Sequence, residues 1–516
     1  MGRPRRAGAL ALELLGVHVT NRIPALLLSV AVVVSIAVSP TMAGPAPHPR
    51  TFEECHPFLT EPQFGGHVPA GEEVLGFSFG DREVTVGESN QYLDAVDDAT
   101  HRVVTGTMAK SWQSRPLRYA IVGSRENLTR ESLRDIRRAT RRLRNPATTP
   151  EETRDIARTT PAILWITANV HGDEESGTDA ALRTLYELAA RNDCAANRIR
   201  RNAVVVFVPT QNPDGRAANT RRNAYCFDMN RDWFARTQPE TDGKVKLMRR
   251  YPPVLFIDAH EQGGDGFFFP PNPDPIYHEI TNETLGWINN IYGAAMADEF
   301  NRQGIPFFSG EIYDLFYMGY GDTVPITGFT AAGMTFEKAN AAPIAERTYE
   351  HYVTQWTSLS AGALRKRRIL SEYHHAYAEA YRQGLRGELE PNELFDPDND
   401  VTNPVPERRV RHYFLLDKQS KKREVHSIVR RLQRMGVKVY RLSEATEVAG
   451  YTPYARNRSP RTLPKGTYWV PMAQRQKHWI QAMLNEDTYV PFPYFYDVTA
   501  WSQPLLFNLP GGYTGA

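Results

Sequence analysis

The stretch Ala162-Ile-Leu-Trp-Ile-Thr-Ala168, running straight into Asn169-Val-His171-Gly-Asp-Glu174, decides how this chain reads. Apolar and small residues without polar alternation mark a strand buried on both faces. Ala203-Val-Val-Val-Phe-Val208 and Val254-Leu-Phe-Ile257 repeat the pattern, and Thr178–Arg191 between the first two strands reads as a helix. Such alternation predicts an α/β fold: a mostly parallel or mixed central sheet with helices on both faces. Functional loops of that sheet gather at the carboxyl ends of its strands. His171 and Glu174 stand just past one such end, three residues apart, where an imidazole and a carboxylate can converge on one ion.

The strand 254–257 leads into Asp258-Ala-His260-Glu261, which supplies a second histidine. Two histidines and one glutamate with a fourth position open make a hydrolytic zinc site. Between the two clusters lie Asn212-Pro-Asp-Gly215, Arg221-Arg-Asn223 and Asp228-Met-Asn-Arg231-Asp232. Upstream, a helical pattern surrounds 90–104 and Leu117–Val122 reads as a strand. Residues 129–145 form a helix carrying seven arginines. Glu131 and Asp135 interrupt them and aromatics are absent, so this is a solvated face rather than a nucleic-acid patch.

The ordered set HxxE, NPDG, R-x-N, D-x-N-R and a distant histidine resembles the zinc carboxypeptidases of the carboxypeptidase A type. Gly333-Met-Thr-Phe-Glu337-Lys338 is similar to that family's strand bearing the general-base glutamate. The resemblance implies one zinc ion per chain, held by His171, Glu174 and His260. It implies Asp228 behind His171, fixing its tautomer. Glu337 would be the general base, and Arg221 the stabiliser of the oxyanion, with Arg222 as neighbouring rival. Asn230 and Arg231 would grip the free C-terminal carboxylate of a peptide substrate, a task suited to the guanidinium fork. The mobile tyrosine of the family has three candidates here, Tyr313, Tyr317 and Tyr320. Counting back from Gly321 selects Tyr317. The family's Gly-Gly-Ser is replaced near Asp322, so the side-chain preference is not legible. Phe267-Phe-Phe269 reads as core packing in preference to pocket lining. A zinc amidase or deacylase acting on cell-wall peptides or acyl amino acids is the competing enzyme. A binding protein on the same fold is the non-enzymatic alternative, opposed by Glu337 and all three ligands being present.

The chain of 516 residues carries a net charge of +2 and three cysteines. That excludes a disulfide scaffold and a Cys-rich zinc fold, and gives no basic excess for nucleic acid. Arg3, Arg5, Arg6 and Arg22, the apolar run 23–38 and the small residues ending at Ala43 have the order of a secretory signal. The run is too short for a membrane span. The expected organisation is therefore a signal peptide 1–43, a lead-in 44–84 and a catalytic domain 85–391. A linker 392–406 and a second, smaller α/β domain 407–516 follow. The product would be secreted, with no membrane span once the signal is cleaved. In an oxidising compartment Cys194 and Cys226 could pair, leaving Cys55. Residues 401–516 hold 18 basic and 8 acidic residues, whereas 44–400 hold 39 and 50. Charge alone then predicts a basic C-terminal domain steered to the acidic one in a salt-dependent way. An anionic cell-surface polymer is its candidate outside partner. Thr467–Gln474 and Tyr496–Trp501 are similar to the amidotransferase-like domain appended to some bacterial relatives. A glutaminase of that type needs a nucleophilic cysteine, and none follows Cys226.

Overall fold

The computed structural model describes residues 55–516 apart from 66, 265, 271–276, 278, 310–320, 322, 391–393, 397–400, 404–408, 456–460 and 487–502. The signal segment 1–43 and Tyr313, Tyr317, Tyr320 and Asp322 lie outside the described residues.

Eight strands form the main sheet: β1 Val103–Lys110, β2 Pro116–Val122, β3 Ala162–Ala168, β4 Ala203–Val208, β5 Leu255–Gln262, β6 Phe267–Phe268, β7 Phe307–Phe308 and β8 Ala332–Ala339. Their order is β1-β2-β4-β3-β5-β8-β6-β7. The centre β4-β3-β5-β8 is parallel, while β1, β2 and β6 join antiparallel. Every residue of β3, β4 and β8 is buried. That is the signature of a sheet covered on both faces, as the unbroken apolar runs require. Trp165 is fully buried inside β3 and donates its indole N–H to the Tyr251 carbonyl at 2.9 Å.

Two local readings shift. The helix near residue 90 runs Val86–Ala99, opened by Thr85, whose hydroxyl accepts from Glu88 N while Glu88 reaches back to Thr85 N. Val103 and Val104 already belong to β1. Asp258-Ala-His260-Glu261 does not follow a strand end, because β5 continues through it. The disulfide is also different from the expected one. Cys55 pairs with Cys194, and Cys226 is the exposed free thiol. Cys194 opens the Cys194–Asn202 helix, and the bond ties the start of the described chain to it.

Downstream lie the paired β9 Leu394–Asp396 and β10 Val401–Asn403. A five-stranded sheet follows from β11 His412–Leu415, β12 Tyr440–Arg441, β14 Thr452–Pro453, β16 Tyr468–Pro471 and β17 Gly511–Thr514, with β13 Thr446–Val448 and β15 Arg461–Leu463 paired beside it. All of these pairings are antiparallel. The helices Lys422–Arg434 and Lys477–Leu484 supply apolar residues to the same core as the main sheet. Trp479 packs on Phe234, ring centroids 5.0 Å apart, and a Cβ at Gly328 would meet both Trp479 and Met435. Lys477 Nζ lies 2.6 Å from Glu279 Oε2 with both side chains fully buried. Gln476 Nε2 donates to the Gly328 carbonyl at 3.2 Å and Arg434 Nη1 lies 3.9 Å from Asp242 Oδ1, so the contact combines apolar packing, buried polar bonds and a charged rim. Charge steering alone does not describe it, and salt screens its buried ion pair little.

Candidate metal centre

β3 hands the chain to the first cluster through Asn169, whose φ of 58° is left-handed. Asparagine tolerates this conformation better than most residues. Its amide donates to the His171 carbonyl at 2.9 Å and the Glu174 carbonyl at 3.0 Å, folding the HxxE turn around itself. Gly172 is needed for contact: a Cβ there would fall 2.0 Å from the Gly215 carbonyl carbon. Asn212 caps the helix Pro213–Ala218 by accepting from Gly215 N, and its amide donates to the carbonyls of Val170 and Arg221. The NPDG motif is thus the seat of the HxxE turn.

His171, Glu174 and His260 are buried, and one donor atom from each lies within 4.8 Å of the others. His171 Nδ1 is 2.6 Å from Glu174 Oε1, His260 Nδ1 is 2.9 Å from Glu174 Oε2, and the two Nδ1 atoms are 3.3 Å apart. Two nitrogens and one carboxylate oxygen are a zinc donor set, not a magnesium or calcium one. Each outward nitrogen faces a carboxylate. His171 Nε2 is hydrogen-bonded to Asp228 Oδ1 at 3.2 Å, and His260 Nε2 lies 3.3 Å from Asp258 Oδ2. Backing carboxylates of this kind orient ligand imidazoles. The donor set therefore fits a zinc ion.

Asp258 is the residue the sequence reading passed over. Residues two apart in a strand share a face, so the D-x-H spacing in β5 was the available signal. It is fully buried and accepts from Thr167 Oγ1 at 2.9 Å and Gln211 Nε2 at 2.6 Å. Burial opposes its ionisation, yet His260 and Lys244 beside it hold its pKa at about 2. Lys244 in turn is pushed down to about 8 by burial, against the pull of Asp258 and Asp232.

Parallel pairing puts Glu337 of β8 opposite His260 of β5, and antiparallel pairing puts Phe268 on its other side. Alternation sends the next residue to the opposite face, where Lys338 Nζ meets Glu346 and Glu350 at 2.8 and 3.0 Å. Glu337 is therefore not the partner of Lys338. Phe267 and Phe269 pack against Phe300 in the core, as expected of that run. Arg221 is half-exposed, its Nε 3.0 Å from Asp228 Oδ2 and its Nη1 3.4 Å from Glu174 Oε1. No such contact links Arg222 to the described site residues. Asn230 is buried, its backbone N–H donates to Asp228 Oδ1 at 2.8 Å, and its side-chain oxygen accepts from Trp233 Nε1. A Cβ at Gly321 would lie 2.4 Å from Asn230 Oδ1, so that glycine lets the chain close over Asn230. Arg231 follows, half-buried, near enough to help hold the Asp228 carboxylate ionised after His171 and Arg221.

Residues 89–317 match the family model described as zinc carboxypeptidase. That stretch, less than half of the chain, is similar to the zinc carboxypeptidases. Carboxypeptidase 2 of Trichophyton tonsurans is 34% identical over 114 residues, 22% of this chain and 21% of that protein. The Trichophyton rubrum protein of the same name is 33% identical over 114 residues. The match thus spans about a fifth of the length of these curated relatives. Among solved structures, carboxypeptidase A of Helicoverpa armigera is 14% identical, covering 57% of this chain and 80% of that one, with a TM-score of 0.41. A Pseudomonas aeruginosa metallo-carboxypeptidase bound to (2-guanidinoethylmercapto)succinic acid is 17% identical, covering 54% and 68%, with a TM-score of 0.39. The zinc carboxypeptidase model ends before Glu337, whose position rests instead on the β5–β8 register.

Proposed function

We propose that this chain is an exported zinc-dependent carboxypeptidase, removing C-terminal residues from peptides with one zinc ion per chain. The observation that carries this reading is the register that sets Glu337 beside His260, at the edge of a three-donor cluster. Zinc held by His171, Glu174 and His260 would supply Lewis acidity to water and to the scissile carbonyl. Glu337 takes the proton of the attacking water and returns it to the leaving amine. Arg221, exposed beside Glu174, stabilises the developing oxyanion. Asn230 and Arg231 hold the substrate's terminal carboxylate, and Tyr317 closes over it. Asp228 and Asp258 keep the imidazoles aimed.

Export is supported by the charged start, the apolar run 23–38 and the Cys55–Cys194 bond, since disulfides persist in oxidising compartments. No described helix is long and apolar enough to cross a membrane. The N-terminus of the secreted protein should lie between about residues 40 and 50, and an intact Met1 found only in cell extracts would refute export.

The deciding assay compares a peptide with its C-terminally amidated form, with and without a zinc chelator. Amidation removes a charge-assisted contact and leaves its donors unpaired. Activity should fall by on the order of 100-fold, or about 3 kcal/mol, and the chelator should abolish it. Equal cleavage of the amide, or cuts inside a long chain, would make this an amidase or an endopeptidase.

A further inference from the structure

A concavity about 600 Å³ in volume lies between the helices Arg130–Leu143 and Lys366–Arg386 and the connecting segments at Gly436–Lys438 and Ala473–Arg475. Its lining includes Arg141, Arg144, Tyr381, Arg382, Lys438 and Arg475, separated by small apolar residues, and contains no carboxylate. It shares no residue with the metal centre.

The cations here are short of counter-ions. Glu379 already takes Arg382 and Arg386, and Asp242 takes Arg236 and Lys246. Among the described residues no carboxylate lies within ion-pair distance of Arg141, Arg144, Lys438 or Arg475. Arg144 is 6% exposed, reaches Gln476 Oε1 through Nη2 at 3.1 Å and sits over the Tyr377 ring at 5.1 Å. Its buried Nε has no hydrogen-bond partner. A Cβ at Gly436 would lie 3.4 Å from Arg249 Nη2 and 3.5 Å from Arg475 Nη2, so two guanidinium groups approach across that glycine. The Arg475 pKa is lowered, first by burial and then by Arg144. Like charges gathered in a partly desolvated groove cost free energy that a bound anion would recover. One carboxylate would neutralise one of these cations; a phosphate suits several at once and matches the guanidinium fork.

We infer that this groove binds a phosphate-bearing ligand, with Arg144 and Arg475 gripping the phosphate and Tyr381 and the alanine-lined wall covering the organic part. The inference does not depend on the peptidase reading. Calorimetric titration of the full chain with phenyl phosphate, inorganic phosphate and benzoate tests it. Phenyl phosphate should bind, and benzoate, with one carboxylate, should bind far more weakly. Tighter binding of phenyl phosphate than of inorganic phosphate assigns the site to a phosphate ester, and equal binding assigns it to the free ion. Arg475→Gln and Arg144→Gln should each weaken binding at least about tenfold, the loss of one charge-assisted contact. Arg158→Gln, outside the groove and paired to Asp155, should leave binding unchanged. If Arg144→Gln does not fold, Arg475→Gln and the exposed Arg141→Gln carry the test. No binding of either phosphate, equal binding of benzoate, or an Arg475→Gln variant that binds like the parent would overturn it.

Discussion

His260 and His171 bring their Nδ1 atoms within 3.3 Å of each other from supports of different kinds. His260 sits inside β5, which pairs with β3 as far as Ala259 and with β8 through His260 and beyond, and fully buried Asp258 lies behind it. His171 sits on a turn past β3, held by the Asn169 amide, the Asn212 cap and Asp228 at the rim. Asp228 is reached by the half-exposed Arg221 as well as by His171. A sheet fixes a side chain through many backbone bonds, whereas a turn fixes it through a few side-chain bonds. Damage on the two sides should therefore differ in size and in kind.

The largest effect should come from the sheet side. His260→Ala removes a ligand from the rigid half, and two remaining donors do not hold a catalytic zinc tightly. Elemental analysis should find the metal gone, and full zinc content in this variant would refute the donor set. Glu337→Gln, one strand over, should separate chemistry from binding. Zinc content stays, while kcat falls by about 10²–10⁴, the usual contribution of a general base. A Glu337→Gln enzyme that still turns over normally would remove Glu337 from the mechanism.

Next in size is the pair of backing carboxylates. Asp228→Asn and Asp258→Asn should each weaken zinc by roughly 10–100-fold. The loss should be greater at Asp258. It is sealed from water, and its replacement also disturbs the Gln211 and Lys244 contacts behind it. At Asp228 solvent can stand in for part of the lost carboxylate. Chelator competition on both variants decides the matter, and a larger loss at Asp228 would reverse the assignment of rigid and soft halves.

What could be read in advance follows the same division. The buried strands were legible because continuous apolar runs have one use in a soluble chain, and HxxE was legible because it stands where such a run stops. Asp258 was in view but unassigned, because the strand was ended at Ile257, five residues before its end at Gln262. Extending β5 through the polar tetrapeptide puts Asp258 and His260 on one face at once. The same two-residue period distinguishes Glu337 from Lys338. The Cys55–Cys194 bond was not legible, since its partners are 139 residues apart and spacing says nothing about which thiols meet. The contact around Trp479 and Lys477 was hidden by net charge, which describes surfaces and not buried faces.

The smallest expected effect probes the turn itself. Asn169 does two things: it adopts a φ of 58°, and it donates to the His171 and Glu174 carbonyls. Asn169→Gly keeps the first and loses the second, whereas Asn169→Ala loses both. A left-handed alanine costs about 1–2 kcal/mol, partly offset by the roughly 0.5–1 kcal/mol of unfolded-chain entropy that glycine adds. The alanine variant should therefore be less stable than the glycine variant by up to about 1 kcal/mol in denaturant melts. Zinc affinity should fall in both by a similar, modest factor of roughly three to ten, equivalent to about 0.7–1.4 kcal/mol. The lost hydrogen bonds are common to both, and β5 still presents His260 unchanged. Equal stability of the two variants would mean that the left-handed conformation carries no cost. Unchanged zinc affinity would mean that Asp228 and the Asn212 cap hold His171 without the Asn169 amide, making the turn as rigid as the strand it faces.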